Sequence, residues 1–255
     1  TKSPGRFFSG MGTPDIRGTY GMFTYYTEVP IENESEITGG LVLPARIKNN
    51  SMTGEIFGPT NTFINPHRVK EEGKASGETE SKVPFTVFID PETETARIEV
   101  QNSTLILNEG EWSEWITLRF ELLPLFVKVS GMVKFYMKEV SPFFKLYISP
   151  VNIDPCDQAL PITYPEEYGC ELYKAIGPFH TLGMPEDTKA LDYGVLDEDE
   201  FLREAKTIHE EQRRMLEFEF SRFKKGLLFA YFSSIDLISH MFYRAFDPSH
   251  PLYDE

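Results

Sequence analysis

The sequence has few of the features that define a disulfide-stapled or membrane-spanning protein. Its 255 residues contain two cysteines, Cys156 and Cys170, which are too few for a disulfide framework and lack the CxxC spacing of a structural zinc site. The sequence is still compatible with one disulfide bridge between these two cysteines. The longest apolar runs, 122–127 and 227–232, are far shorter than the roughly 20 residues that cross a bilayer, so we expect no membrane span.

Positive charge is also scarce. The chain has 25 Lys and Arg against 40 Asp and Glu, a formal charge of -15 that repels the phosphates of nucleic acids and of acidic lipids. We therefore expect no nucleic-acid polymer as a partner. The deficit is concentrated in the second part of the chain, because residues 1–150 carry -4 and residues 151–255 carry -11.

The composition is that of a chain that folds, with 40% hydrophobic and 25% charged residues. We expect a soluble protein, with the cytoplasm favoured over the periplasm, and the sequence gives no indication of its oligomeric state. The chain begins Thr-Lys-Ser-Pro without a charged-then-apolar leader, so we expect it to be a fragment of a longer protein.

Residues 21–149 read as an antiparallel β-rich layer, preceded by a connector over 1–20. β-branched and aromatic runs predict strands at 22–27, 41–47, 85–89, 96–100, 115–122, 125–133 and 143–148. Asp90–Thr93 and Asn108–Glu111 are predicted to close hairpins. The polar segment 70–82 is predicted to be a solvated loop.

Residues 150–255 have a different pattern, and we place a domain boundary near Ser149. Seven prolines between 142 and 185 predict a connector without long regular elements. Periodic apolar residues after Asp197, with acidic residues at the start and Gly226 as a stop, predict one long helix. The unalternating run Leu227–Phe232 predicts a buried parallel strand, and 237–245 resumes a helical spacing. The expected fold class is therefore α/β, mixed α+β as a whole.

Asp236 and His240 are the first candidate site. They follow the predicted strand at the sheet edge where ligands bind in open α/β sheets, and residues four apart stack on one helix face. A carboxylate and an imidazole converging there are ligands that zinc accepts. The alternatives are an ordinary helix N-cap for Asp236 and a core histidine for His240.

Two other segments are weaker candidates. Asp247 and His250 flank a turn after the same helix and are expected at the rim of the site, although Asp before Pro is also a routine helix stop. Gly10–Gly21 is rich in glycine but lacks the lysine of a phosphate-binding loop, so a plain connector is the favoured interpretation. No nucleophile motif occurs; Thr181 and Ser233 are the hydroxyls to follow, and His67, His180 and His209 are assigned no role.

The segment LLFAYFSSIDLISHMFYR at 227–244, followed by DPSHP at 247–251, resembles the type I phosphodiesterase / nucleotide pyrophosphatase group of the alkaline phosphatase superfamily, more specifically its predicted phosphohydrolases and phosphomutases. The segments 10–21, 162–165 and 176–181 resemble the same group. The resemblance implies a partial α/β/α core with a large antiparallel β-rich insertion.

It also implies two divalent metal ions, zinc with manganese as the alternative, and a small-molecule phosphate ester as substrate. Asp236 and His240 match the pair that binds one metal. The family's Thr or Ser nucleophile and its other metal ligands have no counterpart here, so the chain alone is expected to be inactive.

The alternative is a non-catalytic β-sandwich binding module with a helical support. In that case Trp112, Trp115, Tyr136 and Phe144 would line a groove, although such residues in strands are more often core. The metal hypothesis sets two structural conditions that separate these alternatives. The side chains of Asp236 and His240 must converge, and Leu227–Phe232 must lie in a parallel sheet.

Overall fold

The computed structural model describes residues 5–8, 10–31, 37–61, 63, 80–123 and 125–253. The fold is mixed α+β, as the sequence predicts. Of the predicted solvated loop 70–82, residues 70–79 lie outside the described residues, together with His67. Residues 80–82 belong to a strand instead.

Strands fill the first part of the chain and helices the second. The strands are β1 (Phe7–Phe8), β2 (Phe23–Thr27), β3 (Gly40–Pro44), β4 (Ser51–Thr60), β5 (Glu80–Asp90), β6 (Thr95–Val100), β7 (Ser103–Asn108), β8 (Glu111–Trp112), β9 (Ile116–Leu123), β10 (Val127–Val133), β11 (Phe135–Glu139), β12 (Lys145–Ile148), β13 (Asn152–Ile153) and β14 (Thr163–Tyr164). The helices are α1 (Glu167–Ile176), α2 (Thr188–Asp192), α3 (Glu198–Arg222) and α4 (Ser233–Phe242), and a 3-10 turn (Tyr243–Ala245) follows α4.

The described strands form sheets in the orders β4-β5-β6-β7, β3-β2-β12-β11-β8, β13-β10-β9 and β1-β14. All these pairs are antiparallel except β2 with β3. The predicted turn Asp90–Thr93 joins the paired strands β5 and β6. The predicted hairpin at Asn108–Glu111 is wrong, because β7 pairs with β6 and β8 pairs with β11.

The largest apolar cluster draws on three of these sheets. It includes Phe85 of β5, Phe120 of β9 and Phe135 of β11, all nearly or fully buried. The rings of Phe85 and Phe135 meet edge to face, 5.9 Å apart, which is a favoured aromatic geometry. Gly54 of β4 allows this packing, since a Cβ there would lie 2.4 Å from the Phe85 ring.

The five-stranded sheet is covered on both faces. Successive strand residues point to opposite sides, so Phe135 enters the large cluster while Tyr136 enters a second one with Tyr147. The hydroxyl of Tyr136 donates to Glu200 of α3 at 3.0 Å, and that of Tyr147 donates to Asp187 at 2.6 Å. These two tyrosines attach the helical part of the chain to the sheet.

The proline-rich segment contains more regular structure than the sequence predicts. The expectation of no long element there is wrong, because helix α1 lies within it. A disulfide between Cys156 and Cys170 ties this helix to the preceding loop. Proline fixes only its own backbone torsion and the residue before it, and no proline occurs between 166 and 177.

The long predicted helix is α3. Asp197 and Glu200 form a reciprocal capping box at its start. The helix ends at Arg222, before the predicted stop at Gly226, because Phe223 already has extended backbone torsions. In the described part of the chain, no helix is both long and apolar enough to cross a bilayer.

The predicted parallel strand Leu227–Phe232 is wrong for the described residues. The segment pairs with no strand among them, and the side chains of Leu227 and Phe229 are 91% and 82% exposed. An apolar run favours a strand only where neighbouring strands offer backbone partners, and none of the described strands lies beside it.

Candidate functional site

Asp236 and His240 lie on the exposed face of α4. Asp236 is in the first turn and His240 in the last, which suits the helix dipole. Oδ1 of Asp236 is 3.5 Å from Nε2 of His240, and the two side chains are 51% and 74% exposed. The side chains therefore converge, and both are open to a ligand from solvent.

Asp236 is not a helix N-cap and His240 is not a core histidine, so neither of the two structural alternatives applies. The N-cap of α4 is Phe232, which makes no side-chain capping bond, so Asp236 is not the cap. His240 is exposed and is not a core histidine. Tyr231 donates its hydroxyl to Oδ2 of Asp236 at 3.2 Å, which leaves Oδ1 facing His240.

Of the two conditions set by the metal hypothesis, one is met and one is not. The side chains converge, but Leu227–Phe232 does not lie in a parallel sheet of the described residues. Among the described residues the metal hypothesis therefore lacks the sheet edge that it requires, and its spatial support is the side-chain pair alone.

The buried start of α4 is held by polar side chains. Ser233 and Ser234 are almost fully buried, and both hydroxyls donate to Oε1 of Glu186, at 3.0 and 2.6 Å. Gln212 of α3 donates its amide to the Ser233 hydroxyl at 2.8 Å. Ser233 is thus a structural hydroxyl, and the other one followed from the sequence, Thr181, is also buried and donates to the carbonyl of Ile153.

Asp247 and His250 shape a turn. The backbone N–H and the hydroxyl of Ser249 donate to Oδ1 of Asp247 at 2.9 and 2.7 Å. The hydroxyl bond is the main reason that the pKa of Asp247 lies below its usual value. Nδ1 of His250 accepts the backbone N–H of Leu252 at 3.1 Å. These local contacts favour the interpretation of Asp247 and His250 as residues of the turn that follows the helix.

A pair that sequence reasoning missed lies on the inner side of α3. His180 and Glu211 are buried together, with Nδ1 of His180 2.7 Å from Oε2 of Glu211. His180 and Glu211 are too far apart in the sequence for their spacing to indicate that they are in contact. Since the carboxylate can only accept, the proton of the imidazole lies on Nδ1.

A second missed group consists of buried carboxyls beside the start of α2. The backbone N–H of Asp187 donates to Glu204 at 3.0 Å, and Glu186 lies next in sequence. Burial raises the pKa of Asp187 to about 6. Burial and the nearby charge of Asp187 raise the pKa of Glu204 well above its usual value.

The glycine-rich loop at 10–21 is organised around Asp15, which is fully buried. Its carboxylate accepts the backbone N–H groups of Arg17, Thr19 and Met22. The loop is also tied to the rest of the chain, because Arg17 forms a buried ion pair with Glu80 and the backbone N–H of Ile16 donates to the carbonyl of Val151 at 2.8 Å. An open depression beside it is lined by Gly10, Gly12, Thr13, Pro14 and 160–162, with no charged side chain.

The four aromatic residues of the binding-module alternative are divided between buried and half-buried positions. Tyr136 and Phe144 are fully buried, and Trp112 stacks on Tyr136 with ring centres 4.8 Å apart. The ring of Trp115 packs edge to face on His180 at 4.6 Å. The prediction that these four aromatics line a groove is wrong, because Tyr136 and Phe144 are buried in two different clusters, and Trp112 and Trp115 are half-buried against Tyr136 and His180.

Within the described ranges, no three His, Cys, Asp or Glu side chains gather into a cation-binding group. Asp236 and His240 offer one oxygen and one nitrogen donor, the right chemistry for zinc but two of its usual four ligands. No family model matches this chain, and neither the curated proteins nor the solved structures contain a match to it.

Proposed function

We propose that Asp236 and His240 are two ligands of a divalent cation in a metal-dependent phosphohydrolase of the phosphodiesterase, phosphomonoesterase or phosphomutase type. The observation that carries the proposal is the 3.5 Å approach of Oδ1 of Asp236 to Nε2 of His240 on an exposed helix face. The reaction class comes from the resemblance of residues 227–251.

The expected cation is zinc, with manganese as the alternative, because a mixed oxygen and nitrogen donor set suits both. A pair of bound cations supplies charge that stabilises the attacking and leaving oxygens of a phosphate ester. In this proposal the nucleophilic Thr or Ser and the other ligands come from outside these 255 residues. Leu227–Phe232, which pairs with none of the described strands, would join a sheet that those residues provide.

Metal binding to the chain tests the ligand assignment. Zinc or manganese is titrated into the protein while the ¹⁵N resonances of the His240 imidazole are followed by NMR. We expect Nε2 of His240 to shift with zinc and to broaden with manganese, and Asp236→Ala to remove both effects. Asp199→Ala is the matched control, since Asp199 is exposed in the first turn of α3 but has Arg203 four residues later. Equal titrations for Asp236→Ala and Asp199→Ala would refute the assignment.

Turnover tests the reaction class. The product of the full coding sequence that contains these residues is assayed on aryl phosphomonoesters and phosphodiesters, with and without zinc or manganese. Metal-dependent hydrolysis that collapses in Asp236→Ala supports the proposal. Hydrolysis that is unchanged in Asp236→Ala removes this residue from the active site.

We also propose an oxidising compartment for the protein, in place of the cytoplasm that the sequence favours. The support is the Cys156–Cys170 disulfide, because structural disulfides persist outside the reducing cytoplasm. Thiol labelling of protein taken directly from its native cell fraction tests this, and two labelled thiols per chain would contradict it.

A further inference from the structure

We infer that Glu186 is a positioning residue for Asp236 and His240, acting through the first turn of α4. The inference rests on the proposed function and adds a residue that neither spacing nor the resemblance assigns. Glu186 lies about 50 residues before Asp236 and His240 in the sequence. Its contacts are with Ser233 and Ser234, where α4 begins.

Glu186 holds the first turn of α4, which has no side-chain N-cap, through two serine hydroxyls rather than through backbone N–H groups. The N-cap residue, Phe232, has no side-chain oxygen to satisfy the first N–H groups of the helix. Glu186 is 3% exposed and lies where the helix dipole favours a negative charge. Both serine hydroxyls of the first turn donate to its Oε1, so one carboxylate oxygen fixes two consecutive residues.

The carboxylate is part of a polar chain that joins α4 to α3. The Gln212 amide donates to the Ser233 hydroxyl at 2.8 Å, and that hydroxyl donates to Glu186 at 3.0 Å. The Ser234 hydroxyl, besides its bond to Glu186, lies 3.2 Å from the carbonyl oxygen of Ala205. The other carboxylate oxygen, Oε2, is buried with no hydrogen-bond partner in the described part of the chain. Both side-chain hydrogen bonds of Glu186 in the described part of the chain therefore come from the two serines.

The geometry of the ligand pair depends on this turn. Asp236 belongs to the first turn of α4, whereas His240 belongs to the last. Helix ends fray, and fraying of the first turn changes the Asp236 backbone while leaving His240 in place. By pinning Ser233 and Ser234, Glu186 keeps Asp236 and His240 on one face at a distance that a single cation can bridge.

The test measures zinc affinity rather than turnover. Zinc is titrated into the full chain by calorimetry, with the Nε2 resonance of His240 as a second readout. We expect Glu186→Ala to weaken zinc binding about tenfold, the low end for residues that support metal ligands. Glu186→Gln keeps a carbonyl oxygen for the serine hydroxyls and is expected to stay within about twofold of the wild type. Ser234→Ala is expected to weaken binding in the same direction, and it serves in place of Glu186→Ala should that variant not fold.

Two controls separate positioning from general stability and from the proposed function itself. Leu172→Val destabilises a different cluster, around α1, and is expected to lower the melting temperature without changing zinc affinity. Loss of zinc binding in Asp236→Ala together with wild-type affinity in Glu186→Ala and Ser234→Ala would overturn this inference alone. Unchanged zinc binding in Asp236→Ala would overturn the proposed function.

Discussion

Nδ1 of His180 lies 2.7 Å from Oε2 of Glu211, and the same oxygen accepts the backbone N–H of His180 at 2.9 Å. The other carboxylate oxygen accepts the indole N–H of Trp115 at 3.1 Å. Burial raises the pKa of Glu211, but the electrostatic interaction and the hydrogen bonds with His180 outweigh this effect, so the pKa of Glu211 lies below its usual value. One carboxylate thus joins α3 to the strand layer.

We expect Glu211→Gln to lower the free energy of unfolding by about 1–3 kcal/mol, because glutamine has one acceptor oxygen and its amide group then faces a buried donor. Urea unfolding followed by tryptophan fluorescence measures this. The neighbouring Glu210→Gln is the control, since Glu210 is half-exposed and paired with Arg213, and its effect should be much smaller than that of Glu211→Gln. Equal effects of the two substitutions would show that the buried contacts add nothing.

Contacts between residues that are close in sequence could be predicted, whereas contacts between residues that are distant in sequence could not. The capping box of α3 and the approach of Asp236 to His240 join residues three or four apart, so spacing alone carries the signal. The Glu211 contact with His180 spans 31 residues and has no such signal. The same holds for Glu186, whose serine partners follow 47 and 48 residues later.

The prediction of strand partners from the sequence fails for the same reason. The strands around Asn108–Glu111 are adjacent in sequence, yet β8 pairs with β11 rather than with β7. Local turn residues report where the chain reverses, but the choice of partner depends on which side chains can be buried together. Leu227–Phe232 has the composition of a buried strand and still has no partner among the described residues.

The Cys156–Cys170 bridge closes a loop with a sequence separation of 14. Loss of the bridge frees that loop in the unfolded chain, so we expect the double variant Cys156→Ser/Cys170→Ser to be less stable by about 3 kcal/mol. Urea unfolding of the variant and of the oxidised wild type measures the difference. Addition of a reductant should lower the stability of the wild type toward that of the variant and leave the variant unchanged. A reductant effect on both proteins would attribute the loss to something other than this bridge.

The buried carboxyls Asp187 and Glu204 predict a stability that falls as the pH rises. A carboxyl whose pKa is raised in the folded state binds more protons there than in the unfolded chain, so the free energy of unfolding decreases between the two pKa values. For Asp187 this window runs from its ordinary pKa of 3.8 to about 6, and for Glu204 it extends well above its ordinary pKa of 4.5. The stabilising contribution is complete below the window and lost above it.

We expect Glu204→Gln to be more stable than the wild type at pH 8 and to approach it near pH 4, because glutamine can still accept the Asp187 N–H but does not ionise. Urea unfolding across this pH range measures the difference. Glu121→Gln, at a half-exposed position paired with Lys128, is the control and should show little pH-dependent difference. A Glu204→Gln curve parallel to that of the wild type would mean that Glu204 is not the group responsible.

The last prediction concerns the exposed segment 227–232 and the effect of its side chains on stability. Leu227 and Phe229 are almost fully exposed, so Leu227→Ser and Phe229→Ser should change the free energy of unfolding by no more than about 0.5 kcal/mol. Phe201→Ala, at a fully buried position of α3, should cost about 3–5 kcal/mol under the same conditions. Contiguous exposed apolar surface favours association, so the double serine variant should also sediment with less concentration dependence than the wild type. A loss of stability in Phe229→Ser comparable to that in Phe201→Ala would mean that segment 227–232 is buried in the folded chain. A paired β-strand would then be the better interpretation of this segment.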